Sequence, residues 1–178
     1  MPRTVLATER LILRGALQRD FEPLFLTVFS DAQVMQHLSW GAMSREQASE
    51  AFAEAFDFEG TGQRIGVLVE RSTDAVVGYA GLKPCDALGD DDLELGFVLQ
   101  RALWGRGFAS EIGRAQLEYG FRTTNRSRLL AQVKPGNAGS VNALRKLGMA
   151  FVKAYERPAL GTWHVYCRER EAHTFEET

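Results

Sequence analysis

Cysteine is scarce: the 178 residues contain two, Cys85 and Cys167, with no CxxC spacing and no clustered histidine pattern. That excludes a disulfide framework, gives no zinc motif, and predicts free thiols in a reducing compartment. An excess of either charge is also missing. Lys plus Arg number 21 against 23 Asp plus Glu, for a net charge of -2 and a pI near 6.0. Such a balance supplies no field for holding nucleic acid or an anionic membrane surface. No apolar run approaches the roughly 20 residues a membrane helix requires. The first ten residues lack the apolar core of a signal peptide. The expectation is a cytoplasmic protein with neither nucleic-acid nor membrane partners. No linker, internal repeat or low-complexity tract divides residues 1–178, so one domain is expected.

What is present is ordinary globular composition, 45% hydrophobic and 25% charged. Leu11-Ile12-Leu13 reads as a first strand. Asp20 is positioned to cap a helix carrying Phe21, Leu24, Phe25 and Val28, with Pro23 tolerated in its first turn. Ser44 and Gln47 form a capping box ahead of an apolar stripe through Ala48, Ala51, Phe52, Ala55 and Phe56. The period then changes to two: Ile65, Val67 and Val69 alternate, Ser72-Thr73-Asp74 turns, and 76–82 returns. Asp90-Asp91-Asp92 reads as a solvated turn. Leu93, Leu95, Phe97 and Leu99 share one face of the next strand, with Glu94, Gly96 and Val98 on the other. A helix from Phe108 to Gly120, a strand 128–133, a helix capped by Asn137 and stopped by Gly148, and strands 149–157 and 162–169 complete the order. A charged tail after Arg170 should fray.

The order β-α-α-β-β-β-α-β-α-β-β predicts one α+β domain, a mixed and mostly antiparallel central sheet flanked by about four helices. Only the strand–helix–strand unit around Gly105 requires a parallel crossover. That unit also carries the chemistry. Gly105-Arg106-Gly107 lets the backbone turn tightly beside a ligand, and the amides of the following helix suit a phosphate. Dinucleotide binding fits poorly, because the third glycine of G-x-G-x-x-G would fall on Ser110. No G-K-[ST] follows a glycine-rich run, which removes the Walker pattern.

Three ordered segments resemble one family. Thr8-Glu9-Arg10-Leu11-Ile12-Leu13-Arg14 is similar to the opening strand of GNAT-superfamily N-acetyltransferases of the RimJ/RimL-like branch. Leu93–Leu99 followed by Trp104-Gly105-Arg106-Gly107-Phe108-Ala109-Ser110-Glu111 resembles that family's acetyl-CoA-binding motif. Val133–Asn142 and Lys146-Leu147-Gly148-Met149 resemble its C-terminal signature.

The resemblance implies transfer of acetyl from acetyl-CoA to a primary amine. The acceptor would be a protein N-terminal amine or a small molecule such as an amino acid, polyamine or aminoglycoside. It implies cofactor contacts from Val98, Leu99, Trp104, Gly105, Arg106, Gly107, Phe108, Ala109, Ser110, Asn137 and Ser140. It places the acceptor pocket near His37 and Trp40, and calls for no metal. A non-catalytic acyl-CoA-binding protein is the alternative. An exposed strand edge would permit homodimerisation.

Two positions depart from the pattern. Ala102 stands where the superfamily often has Gln or Arg, so phosphate holding would rest on backbone amides and Arg106. Leu144 stands where many members have a tyrosine acid. An amine is mostly protonated at neutral pH and must lose a proton before attack. Glu94, on the face of the bare Gly96 backbone, is the candidate base, against the alternative of a solvated or ion-paired strand residue. Ser140, one helical turn from Asn137, is the candidate donor to the departing thiolate, and the resemblance implies that a backbone N–H around Val98 and Leu99 faces the carbonyl oxygen.

Overall fold

The computed structural model describes residues 2–89 and 91–171. Asp90 and the end of the expected fraying tail lie outside the described residues. In chain order the elements are β1 (Thr4–Ala7), β2 (Leu11–Arg14), α1 (Phe21–Leu24), α2 (Ala32–Met35), α3 (Arg45–Ala55), β3 (Gly66–Glu70), β4 (Ala75–Cys85), β5 (Asp92–Leu99), α4 (Phe108–Thr123), β6 (Arg128–Val133), α5 (Ala138–Lys146), β7 (Ala150–Arg157) and β8 (Gly161–Glu169).

Among the described residues the strands form one sheet in the order β1-β2-β3-β4-β5-β6-β8-β7. Neighbours are antiparallel except β5 and β6, which run parallel across the α4 crossover. The mixed α+β sheet and its single parallel crossover are as the sequence order implies. Period-two alternation divides the core. Val98 and Tyr79 pack on one face with Phe29, Phe52 and Phe56 under α1–α3, while Leu95, Phe97 and Leu99 face α4 and α5 with Phe108, Ile112 and Leu144. Each such buried side chain contributes about 1.5–3 kcal/mol relative to exposure.

The local signals hold where they are local. The Ser44 hydroxyl accepts from the Gln47 N–H and the Gln47 side chain accepts from the Ser44 N–H, closing the expected box on α3. Gly148 ends α5 in the left-handed region at φ +68, which glycine adopts without strain.

Five expectations need correction. A strand at Thr4–Ala7 precedes the expected first one. Asp20 caps no helix with its side chain; it is buried and binds the Arg14 guanidinium at 2.7 and 2.9 Å and the Leu17 N–H at 2.7 Å. The first helix leaves α geometry for a π turn at Phe25–Phe29, and α2 starts afresh with the Asp31 carboxylate accepting from the Gln33 and Val34 N–H groups. Gly120 does not stop α4, which continues to Thr123. A Cβ at Gly120 would meet Leu129 at 2.7 Å, so this glycine lets the helix lie close on the sheet. Asp92 is no solvated turn residue either; it begins β5, is buried, and binds Arg128 at 2.8 Å.

Candidate functional site

The parallel seam between β5 and β6 is paired at Glu94 and Leu130 alone. Beyond that pair the strands part, and a cleft of about 680 Å³ opens between Leu95–Leu99 and Ala131–Lys134. The Gln100 N–H donates to the Val77 carbonyl at 2.9 Å. Strand alternation then turns the Val98 N–H toward β4 and the Leu99 N–H toward the open seam.

On the α4/α5 face the cleft is lined by Trp104, Gly105, Gly107, Phe108, Ala109, Asn137 and Ser140. Gly105 and Gly107 have φ of +72 and +83, in the left-handed region, and a Cβ at Gly105 would meet no atom within 4 Å. The backbone is thus bent and bare where α4 begins, and its first N–H groups carry the positive end of the helix dipole. Trp104 is no core residue: it is 47% exposed, and its indole N–H donates to the Leu99 carbonyl at 3.0 Å. The Asn137 side-chain oxygen accepts from the Ser140 N–H at 3.1 Å, so Asn137 is an N-cap as well as a lining residue. Leu144 is buried and also lines the cleft.

The turn before α4 is clamped from the far edge of the sheet. Glu111 accepts from the Thr8 hydroxyl at 2.5 Å, the Arg10 N–H at 2.8 Å and the Arg10 guanidinium at 2.6 Å. Burial raises the Glu111 pKa, but these hydrogen bonds outweigh it and hold the carboxyl below its ordinary value. Arg10 also lies 4.0 Å from the Phe108 ring centre and donates to the Arg106 carbonyl at 3.0 Å. The Arg106 guanidinium lies 5.3 Å from the same ring. Arg106 and Ser110 are outside the cleft lining.

On the opposite face the cleft reaches His37 and Trp40, in the connection from α2 to α3, and Glu94 and Gly96 of β5. Glu94 is 6% exposed and pairs with the Lys83 ammonium at 2.7 Å. It also accepts from the Gln132 side-chain amide, whose oxygen accepts from the Tyr155 hydroxyl. A second cavity of about 410 Å³, lined by Lys83, Cys85, Gln132, Tyr155 and Arg157 among others, meets the same carboxylate. Burial pushes the neighbouring Cys85 thiol up to about 11, with the Glu94 charge adding to it, so Cys85 stays a thiol. A Cβ at Gly96 would meet nothing within 4 Å, which leaves open space beside Glu94.

The structure therefore brings Glu94, Val98, Leu99, Trp104, Gly105, Gly107, Phe108, Ala109, Asn137, Ser140, His37 and Trp40 to one cleft. Sequence reasoning did not single out Tyr79, Lys83, Gln132, Lys134, Arg157 or Trp163. Tyr79 lines the cleft, and burial raises its hydroxyl pKa, so it remains protonated at neutral pH. No helix among the described residues is long and apolar enough to cross a membrane.

A profile described as Acetyltransferase (GNAT) domain matches residues 10–150. The chain belongs to this GNAT acetyltransferase family. It is 30% identical over 158 residues to Uncharacterized N-acetyltransferase p20 of Bacillus licheniformis, covering 85% of this chain and 87% of that protein. A GNAT-family acetyltransferase from Bacillus anthracis shares the fold at TM-score 0.78 and 22% identity, over 92% of this chain and 97% of that one. RimL, a ribosomal L7/L12 α-N-protein acetyltransferase solved with coenzyme A, shares it at TM-score 0.72 and 14% identity, over 94% and 98%. Acetyl-CoA-dependent acetylation is general in that family.

Proposed function

We propose that this GNAT protein transfers acetyl from acetyl-CoA to a primary amine by direct attack on the thioester. The observation that carries the reading is the split seam with a buried carboxylate at its apex: β5 and β6 part directly after Glu94 and Leu130. The bent, bare backbone at Gly105 and Gly107 fits a pyrophosphate, and RimL, solved with coenzyme A, has the same fold. Backbone N–H groups at the start of α4 would hold the phosphates, with Arg106 adding charge at the rim. Asn137 and Ser140 would contact the pantetheine arm, Asn137 through its carboxamide NH2 because its oxygen caps α5.

Glu94 is the base in this reading. It takes the ammonium proton of the acceptor, held over Gly96, and the second cavity gives that proton a route to water. The Leu99 N–H faces the carbonyl oxygen as it gains negative charge. With Leu144 in place of a tyrosine, the thiolate takes its proton from the Ser140 hydroxyl or leaves unprotonated, since its reference pKa is only about 8.5. His37 and Trp40 form the acceptor wall.

Resemblance to the RimJ/RimL-like branch favours a protein N-terminal amine as acceptor, with a small-molecule amine as the alternative. Incubating the protein with acetyl-CoA and a panel of peptide N-termini and small amines, while following thiol release, tests the reading. Amine-dependent thiol release is expected; cofactor binding with no turnover of any amine would make the protein an acyl-CoA binder instead.

A further inference from the structure

The acceptor end of the cleft holds a buried donor with no acceptor. Trp163 of β8 lines the cleft and is 6% exposed, yet its indole N–H has no hydrogen-bond partner. Buried donors are nearly always satisfied, so an unsatisfied one beside a cavity calls for a partner from outside the protein, a water, an ion or a ligand group. Two cations flank the same ring: the Lys134 ammonium at 5.7 Å and the Arg157 guanidinium at 5.3 Å from its centre. Among the described residues no carboxylate forms an ion pair with either one. Lys134 is steadied by donating to the Leu38 carbonyl at 3.3 Å, beside the acceptor wall.

Strand periodicity places this corner relative to Glu94. Gln132, which holds the Glu94 carboxylate, lies two residues before Lys134, just past the end of β6, and both line the cleft. On β7, Tyr155 opposes Trp163, and Arg157 follows two residues later on that face. Among the described residues that line the cleft Glu94 is the only carboxylate, and Lys83 already neutralises it. The charge left over is therefore positive, the wrong sign for a polyamine or aminoglycoside.

We propose that Trp163, Lys134 and Arg157 form a carboxylate-binding corner, so that the acceptor is a primary amine with a carboxylate a few bonds away. This rests on the acetyltransferase reading above. A free amino acid and a peptide whose N-terminal residues are acidic share that chemistry. Arg157 and Trp163 are specificity-determining here and do no bond-making.

The test compares acidic amino acids, their amides, acidic and basic N-terminal peptides, and spermidine as acceptors. The kcat/KM for carboxylate-bearing amines should exceed that of their amides by about tenfold or more, as for a charge-assisted contact. Free amino acids outperforming acidic peptides would identify the source as a metabolite, and the reverse a protein terminus. Arg157→Ala should raise KM for the acidic acceptor about tenfold, change kcat little and leave the acetyl-CoA Kd unchanged; Arg157→Lys should restore part of the preference. Equal rates with the amides, preference for spermidine, or a loss confined to acetyl-CoA binding would overturn the corner. Calorimetric binding of the same compounds separates the two claims. A protein that acetylates no amine yet binds acids over amides retains the corner and loses the transferase reading. One that acetylates amines without that preference does the opposite.

Discussion

Lys83 and Glu94 face each other across β4 and β5 and form an ion pair 2.7 Å long, the carboxylate buried and the ammonium half in water. The pair fixes the Glu94 carboxylate at the edge of the cleft. Glu94→Gln keeps the shape and the neighbouring amide but cannot take the proton. Its kcat at neutral pH should fall about 100-fold. A kcat equal to that of wild type would remove Glu94 from the chemistry.

Gly96 tests the space beside that carboxylate. A Cβ there would meet no atom within 4 Å, so Gly96→Val has room in the fold and intrudes only on the cleft. The melting temperature should hold within a few degrees while amine turnover drops about 100-fold or more, the scale for a substrate displaced by about 1 Å. Unfolding and turnover lost together would show that the space belongs to the core.

Glu111 links stability to pH. Its folded pKa lies below the unfolded value because the Thr8 and Arg10 hydrogen bonds overcome the burial that opposes them. For a depressed carboxyl the stabilisation is complete above the unfolded pKa and is lost as pH falls through the folded one. Glu111→Gln should therefore destabilise the protein at pH 7 by about 1–3 kcal/mol, with the gap to wild type closing in acid. Denaturant midpoints across pH check this; a gap that is constant with pH would contradict it.

The order of elements from Leu11 onward is legible because apolar spacing is a local signal that survives folding. Thr4–Ala7 escapes it because this strand is four residues long, with a single buried side chain, Leu6. Asp92 misleads for a different reason. Three consecutive aspartates look solvated, and only the distant Arg128 makes the last of them worth burying. The glycines, the Asn137 cap and the face shared by Glu94 and Gly96 are written in adjacent residues. The partners of Glu94 are not: Lys83, Gln132 and Tyr155 come from β4, β6 and β7, and strand pairing alone makes them neighbours. Trp163 reads as one more apolar strand residue until its unpartnered N–H and its two cations are seen together.

The split seam as an acetyl-CoA site is the central claim, and thermal unfolding with acetyl-CoA, CoA, NAD or no ligand tests it most directly. At about 100 times Kd a bound ligand adds about 2.7 kcal/mol. For a chain of this size that is a rise of about 5–10 °C. Both CoA compounds should raise the melting temperature and NAD should not. No shift with either CoA compound would contradict the account and return Gly105-Arg106-Gly107 to an ordinary strand–helix turn.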